Sequence, residues 1–120
     1  MYKLIILIPV PENSHDFDAR WPEFLALAER MPGLLRESTS RVDRIVHGDF
    51  PIQMIHELYF DSLKAAASAM GSEAGEEAGR ILQEITGGEV TLLLADHTQD
   101  ELSNIRRHQS PEGAPPGNRA

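Results

Sequence analysis

The chain is expected to fold as one α+β domain with the element order β-α-β-β-α-β. Apolar runs rich in β-branched residues open and close its first 97 residues: "YKLIILIPV" at 2–10 and "EVTLLLADH" at 89–97. A third run, "IQMIHELYF" at 52–60, lies between them. Two segments with helical spacing separate these runs, one carrying aromatics and one rich in alanine.

The first run is apolar on both parities, with Tyr2, Leu4, Ile6 and Ile8 on one side and Ile5 and Leu7 on the other. Such a strand is central, with both faces covered. Phe17, Trp21, Phe24, Leu25, Ala28 and Met31 then form one stripe of an amphipathic helix. Ser14 or Asp18 could cap it, and Pro22 belongs either in its first turn or at a kink. Pro32-Gly33 stops it. "LLRESTSRVDRIVHG" at 34–48 mixes charges and hydroxyls and reads as a long, half-exposed edge strand. After the third run, Asp61-Ser62 supply a cap for "SLKAAASAM", and Ser72 caps a restart after Gly71. "TGG" at 86–88 ends the helix and leads into the last strand. Right-handed crossovers convert this order into a four-stranded antiparallel sheet with two helices on one face, the ferredoxin-like arrangement. Residues 98–120 read as a C-terminal extension, a short helix over about 99–108 followed by a Pro/Gly-rich tail.

Two helices cover one side of such a sheet. The other side would carry Ile5 and Leu7, or the other parity of that strand, with Val90, Leu92 and Leu94 or with Leu93 and Ala95. An apolar patch of that size calls for a cover, and the commonest is a second copy about a two-fold axis. A homodimer is therefore expected. The other possible cover is the C-terminal segment folded back.

Composition narrows the functional classes. The 120 residues carry a formal net charge of −8, which argues against nucleic acid and anionic membranes as partners. No apolar run approaches the ~20 residues of a spanning helix. The absence of cysteine removes thiolate chemistry and fits a cytoplasmic protein.

The candidate chemistry centres on "HELY" at 56–59. It begins like the H-E-x-x-H zinc pattern, but position 60 is Phe, and on a strand residues four apart stand about 13 Å from each other. His56 and Glu57 alternate to opposite faces, so they form no dyad. His56 shares its face with Met54, Leu58 and Phe60 and reads as a structural histidine in need of a hydrogen-bond partner. Gln53, Ile55, Glu57 and Tyr59 share the mixed face, which suits a cleft. Glu57 is the candidate general acid-base group, and Tyr59 a holder of a carbonyl or phenol oxygen. Trp21 and Phe24, with Ile55 and Gln53, are the candidate ligand contacts, although the two aromatics also fit a core stripe. Ser38, Thr39, Ser40 and Arg41 could meet an acidic ligand. No spacing ties His15, His47 and His97 into a metal site, and neither a metal nor a cofactor is expected.

The segments "MYKLIILIPVPE", "FDARW", "MPGL", "ELYFDSLKA", "SEAG" and "GGEVTLLLAD" together resemble the EthD-like proteins over about residues 1–96. Those are small dimeric α+β barrels, named for a bacterial cluster that degrades ethyl tert-butyl ether. The resemblance implies the βαββαβ topology, a homodimer whose two sheets form a barrel, and a role in small-molecule catabolism. It also exposes a departure. Members often carry a first-helix histidine in an "HxPL" pattern, where this chain reads "EFLALAERMPGL". The functional expectation is a small, mostly apolar organic molecule bound in a barrel cleft, in a catabolic or oxidative pathway. Cofactor-free proton transfer of the isomerase or cyclase type would act on it. The alternatives are a non-catalytic binding or accessory protein and a structural homodimer without an open cavity.

Overall fold

A computed structural model describes residues 1–102. Its elements are β1 (Tyr2–Pro9), α1 (Ser14–Ala28), β2 (Arg36–Arg41), β3 (Ile52–Phe60), α2 (Leu63–Met70), α3 (Glu73–Thr86) and β4 (Thr91–Asp96). The four strands form one antiparallel sheet in the order β2-β3-β1-β4, the ferredoxin-like topology. β1 lies in the interior, as its two-sided apolarity requires. The expected helix at about 99–108 and the tail lie, from residue 103 on, outside the described residues.

Register fixes the two faces. Leu4, Ile6 and Ile8 pair with Leu58, His56 and Met54, and all six are buried beneath the helices. α1 adds Phe17, Trp21, Phe24 and Ala28 to this core, and α3 adds Ala78, Ile81, Leu82 and Ile85. On the opposite side Lys3, Ile5 and Leu7 pair with Tyr59, Glu57 and Ile55 on β3, and Lys3 and Ile5 with Ala95 and Leu93 on β4. Among the described residues no helix covers that side. Of the two parities open on β4, Leu93 and Ala95 join the open face. Leu92 and Leu94 point to the helix side, where the edge position leaves them about two-fifths exposed.

Several local expectations are corrected. The cap of α1 is Asn13, which accepts from the Asp16 N–H at 3.0 Å; neither Ser14 nor Asp18 takes that role. Pro22 lies well inside α1 and not in its first turn. It is exposed, as is Asp18, so water can reach the carbonyl that loses its helical partner. β2 is shorter than its polar run suggested. Beyond Arg41 the chain leaves the sheet through a connector that exposes Ile45, Val46 and Phe50, with Val46 at 93%. The caps and the restart of the second helical stretch are as expected: it divides after Gly71 into α2, capped by Ser62, and α3, capped by Ser72, each serine accepting a backbone N–H at 3.0 Å. Gly87 ends α3 at φ 63°, where a left-handed residue is needed.

Candidate functional site

Three arrangements could carry function. The first is an apolar cavity of about 230 Å³ between sheet and helices. Its floor is Leu4, Ile6 and Leu58, and its walls include Phe24, Met31 and Leu82. Two glycines of α3, Gly75 and Gly79, complete the lining one helical turn apart. Gly75 is forced: a Cβ there would come within 2.2 Å of the Ala69 carbonyl oxygen. Gly79 is not, because nothing lies within 4 Å of where its Cβ would project. A mid-helix glycine costs roughly 1 kcal/mol against alanine. Here it leaves room beside the cavity. Glu76 is the sole ionisable residue in the lining.

The second arrangement surrounds His56, the one buried polar residue of the described core. Trp21 and Phe24 meet its ring edge-on at 5.3 and 5.9 Å between centroids. Both ring nitrogens reach across to β2: Nδ1 lies 2.8 Å from Thr39 Oγ1 and Nε2 lies 3.1 Å from Glu37 Oε2. The expected structural histidine therefore has two partners. Burial lowers its pKa to about 4, so the imidazole is neutral at pH 7, although the Glu29 and Glu57 charges work the other way. Glu37 moves in the opposite sense, up to about 7, through burial and the facing carboxyl of Glu29. The 3.1 Å contact is thus better described as a bond between neutral groups than as an ion pair. With Glu37 protonated, its O–H donates to Nε2, and the Nδ1–H donates to Thr39 Oγ1.

The third arrangement lies on the open face. Lys3 Nζ pairs with Glu57 Oε2 at 2.6 Å. Tyr59, buried although it faces away from the helices, carries the Arg36 guanidinium 4.2 Å from its ring centroid, with Lys3 Nζ at 5.6 Å. His97 meets the same ring edge-on at 5.2 Å.

The candidate residues from the sequence consequently divide. Gln53, Ile55, Glu57 and Tyr59 share the open face, while Trp21 and Phe24 lie beyond the sheet on its helix side. One monomeric pocket cannot use both sets. Of the six, only Phe24 lines the apolar cavity. Sequence reasoning missed Glu37 and Glu29. The available signal was parity: Glu37 and Thr39 alternate on the strand opposite His56. Among the described residues no cluster of three potential ligands could hold a metal ion. No helix there is long and apolar enough to cross a membrane.

Solved structures with this arrangement of strands and helices are numerous. An ethyl tert-butyl ether degradation (EthD) family protein from Bacillus halodurans C-125 superposes with a TM-score of 0.75 at 25% identity, covering 82% of this chain and 99% of that one. The chain is similar to that EthD family protein over most of its length. SnoaB, a cofactor-independent oxygenase from Streptomyces nogalater, matches with a TM-score of 0.62 at 14% identity, over 84% and 96% of the two chains. A dimeric protein of unknown function and ferredoxin-like fold from Bacteroides fragilis NCTC 9343 matches with a TM-score of 0.60 at 14% identity, over 80% and 95%. These last two share the fold of the EthD-like chain and nothing finer. No protein-family model and no curated protein matches the sequence.

Proposed function

We propose that this EthD-like chain is a cytoplasmic homodimer that binds a small, mostly apolar organic molecule between sheet and helices, in a catabolic or oxidative pathway. The observation that carries the reading is the apolar cavity over Leu4, Ile6 and Leu58. Its volume of about 230 Å³ exceeds the ~150 Å³ that admits a benzene ring in other proteins. With Glu76 as the sole ionisable group in the lining, the geometry favours a binding or accessory role over chemistry inside this cavity. Gly79→Leu places a side chain where nothing now lies within 4 Å. It should abolish binding of the neutral dye Nile red while leaving the circular-dichroism spectrum unchanged. Unaltered dye binding would remove the cavity from the proposal. Native mass spectrometry of freshly purified protein supplies the ligand's mass.

A second reading rests on the open face. Lys3, Glu57, Tyr59 and Arg36 form a polar cluster there, and a second copy laid on that face would shield it from water. In that cleft Glu57 would move a proton in an isomerase- or cyclase-type step, and Tyr59 would hold the substrate oxygen. Glu57→Gln should then eliminate turnover with the dimer intact on light scattering. Full activity in that variant would exclude the acid-base role.

A further inference from the structure

We propose that Glu76 sets the class of ligand that the apolar cavity accepts: a hydrocarbon body carrying a protonated amine at one end, with the amine held at the mouth by the Glu76 carboxylate. The proposal rests on the cavity reading above and adds its specificity.

The cavity has a dry end and a wet end. Leu4, Ile6, Phe24, Met31 and Leu58 in its lining are buried, and none of these side chains carries a nitrogen or an oxygen. A polar group of the ligand placed among them would lose its water and gain no partner, so this end selects for hydrocarbon. The lining reaches solvent at Leu92, on the edge strand β4, which is 43% exposed, and at Glu76 on α3, which is also exposed. These two residues mark the mouth. The polar end of a ligand belongs there, and Glu76 is the ionisable group that meets it.

A glutamate in the first turn of a helix matches the helix dipole and needs no ligand to explain it. What surrounds Glu76 asks for more. Arg80 stands four residues on, at the spacing where a glutamate and a basic residue pair along a helix. Its guanidinium bonds elsewhere, to Glu77 Oε2 at 2.9 Å and to Glu84 Oε2 at 2.6 Å. Arg20, the other arginine that reaches α3, is held by Glu23 and Glu84. Among the described residues no cation pairs with Glu76, so the charge at the mouth has no partner within them. An anionic ligand would meet that charge and a chain of formal net charge −8. A neutral ligand would gain nothing from it. An ammonium group would complete it with a charge-assisted hydrogen bond while its hydrocarbon body fills the dry end.

Three probes with one phenyl body and different ends test this: 2-phenylethylammonium, 2-phenylethanol and phenylacetate. The cavity's volume of about 230 Å³ admits their common ring. Entry is read at the ¹³C-labelled methyls of Met31 and Met70, both in the lining. At pH 7 and low salt the ammonium should bind about fivefold more tightly than the alcohol, and phenylacetate more weakly than either. Glu76→Gln should bring the ammonium down to the alcohol's affinity and leave the alcohol unchanged. Glu73→Gln removes the same charge from the same turn outside the lining, and should keep the preference. Equal binding of ammonium and alcohol to the parent, or tighter binding of phenylacetate, overturns the proposal. So does a preference that survives Glu76→Gln, or one that Glu73→Gln removes equally. Methyl shifts with Nile red but with none of the three probes overturn the ligand class and leave the cavity reading standing. Methyls that respond neither to Nile red nor to any probe overturn both.

Discussion

At the scale of single residues, His56 and Glu37 show how two shifted groups can hide each other. His56, lowered from 6.5 to about 4, contributes stability that is present above 6.5 and lost as pH falls through 4. Glu37, raised from 4.5 to about 7, contributes stability that is present below 4.5 and lost as pH rises through 7. Between these limits the slopes oppose, and solvent screening of Glu37 makes the cancellation partial. Glu37→Gln removes one slope. The variant should lose about 2–3 kcal/mol as pH falls from 6.5 to 4, more steeply than the parent, in urea titrations at several pH values. An equally shallow profile would mean that His56 is not held neutral. His56 was legible as a structural residue because its neighbours on the strand face are apolar. Glu37 was not, because a glutamate on a polar edge strand reads as solvated until its partner's position is known.

Among the elements, α2 and α3 carry the clearest constraint. The restart after Gly71 was visible in the Ser72 cap, whereas the close approach of Gly75 to the end of α2 depends on the angle between two helices and leaves no local trace. Gly75→Ala should destabilise the fold by about 1–3 kcal/mol despite alanine's better helical propensity, since the new methyl meets backbone rather than a movable side chain. Chemical denaturation checks this, with Gly79→Ala as the contrast that should gain about 0.5–1 kcal/mol. The antiparallel sheet followed from the element order and right-handed crossovers, and the two faces of β3 from the alternation along residues 53–60; β1, apolar on both parities, needed its register with β3 to fix its faces. The end of β2 was not legible, because Val42 to His47 keeps a strand-like composition while the pairing stops after the Val42 N–H to Gln53 carbonyl bond. The cap of α1 was hidden by competition: Asn13, Ser14, Asp16 and Asp18 all offer suitable oxygens, and only backbone geometry selects Asn13.

For the whole molecule, the decisive surface is the open side of the sheet. The sequence indicated that one face would lack a helical cover, and Ile5, Leu7, Ile55 and Leu93 supply its apolar area. What it could not indicate is the charge at its centre, since Lys3 and Glu57 are far apart in the chain and meet only through β1–β3 pairing. If two copies associate here, Ile5→Lys should convert a dimer into a folded monomer in size-exclusion chromatography with light scattering. A dimer unaffected by that change would place the contact elsewhere.

The Lys3–Glu57 pair gives that surface a further property. Each copy arrives with its own charges already matched at 2.6 Å, so closing two such faces together asks neither partner to bury a lone ion. Oil alone would let one sheet slide over another, but a neutral polar island permits only alignments that keep both of its ends satisfied. A single ion pair could thereby act as a locating pin, turning a greasy surface into one with a preferred fit.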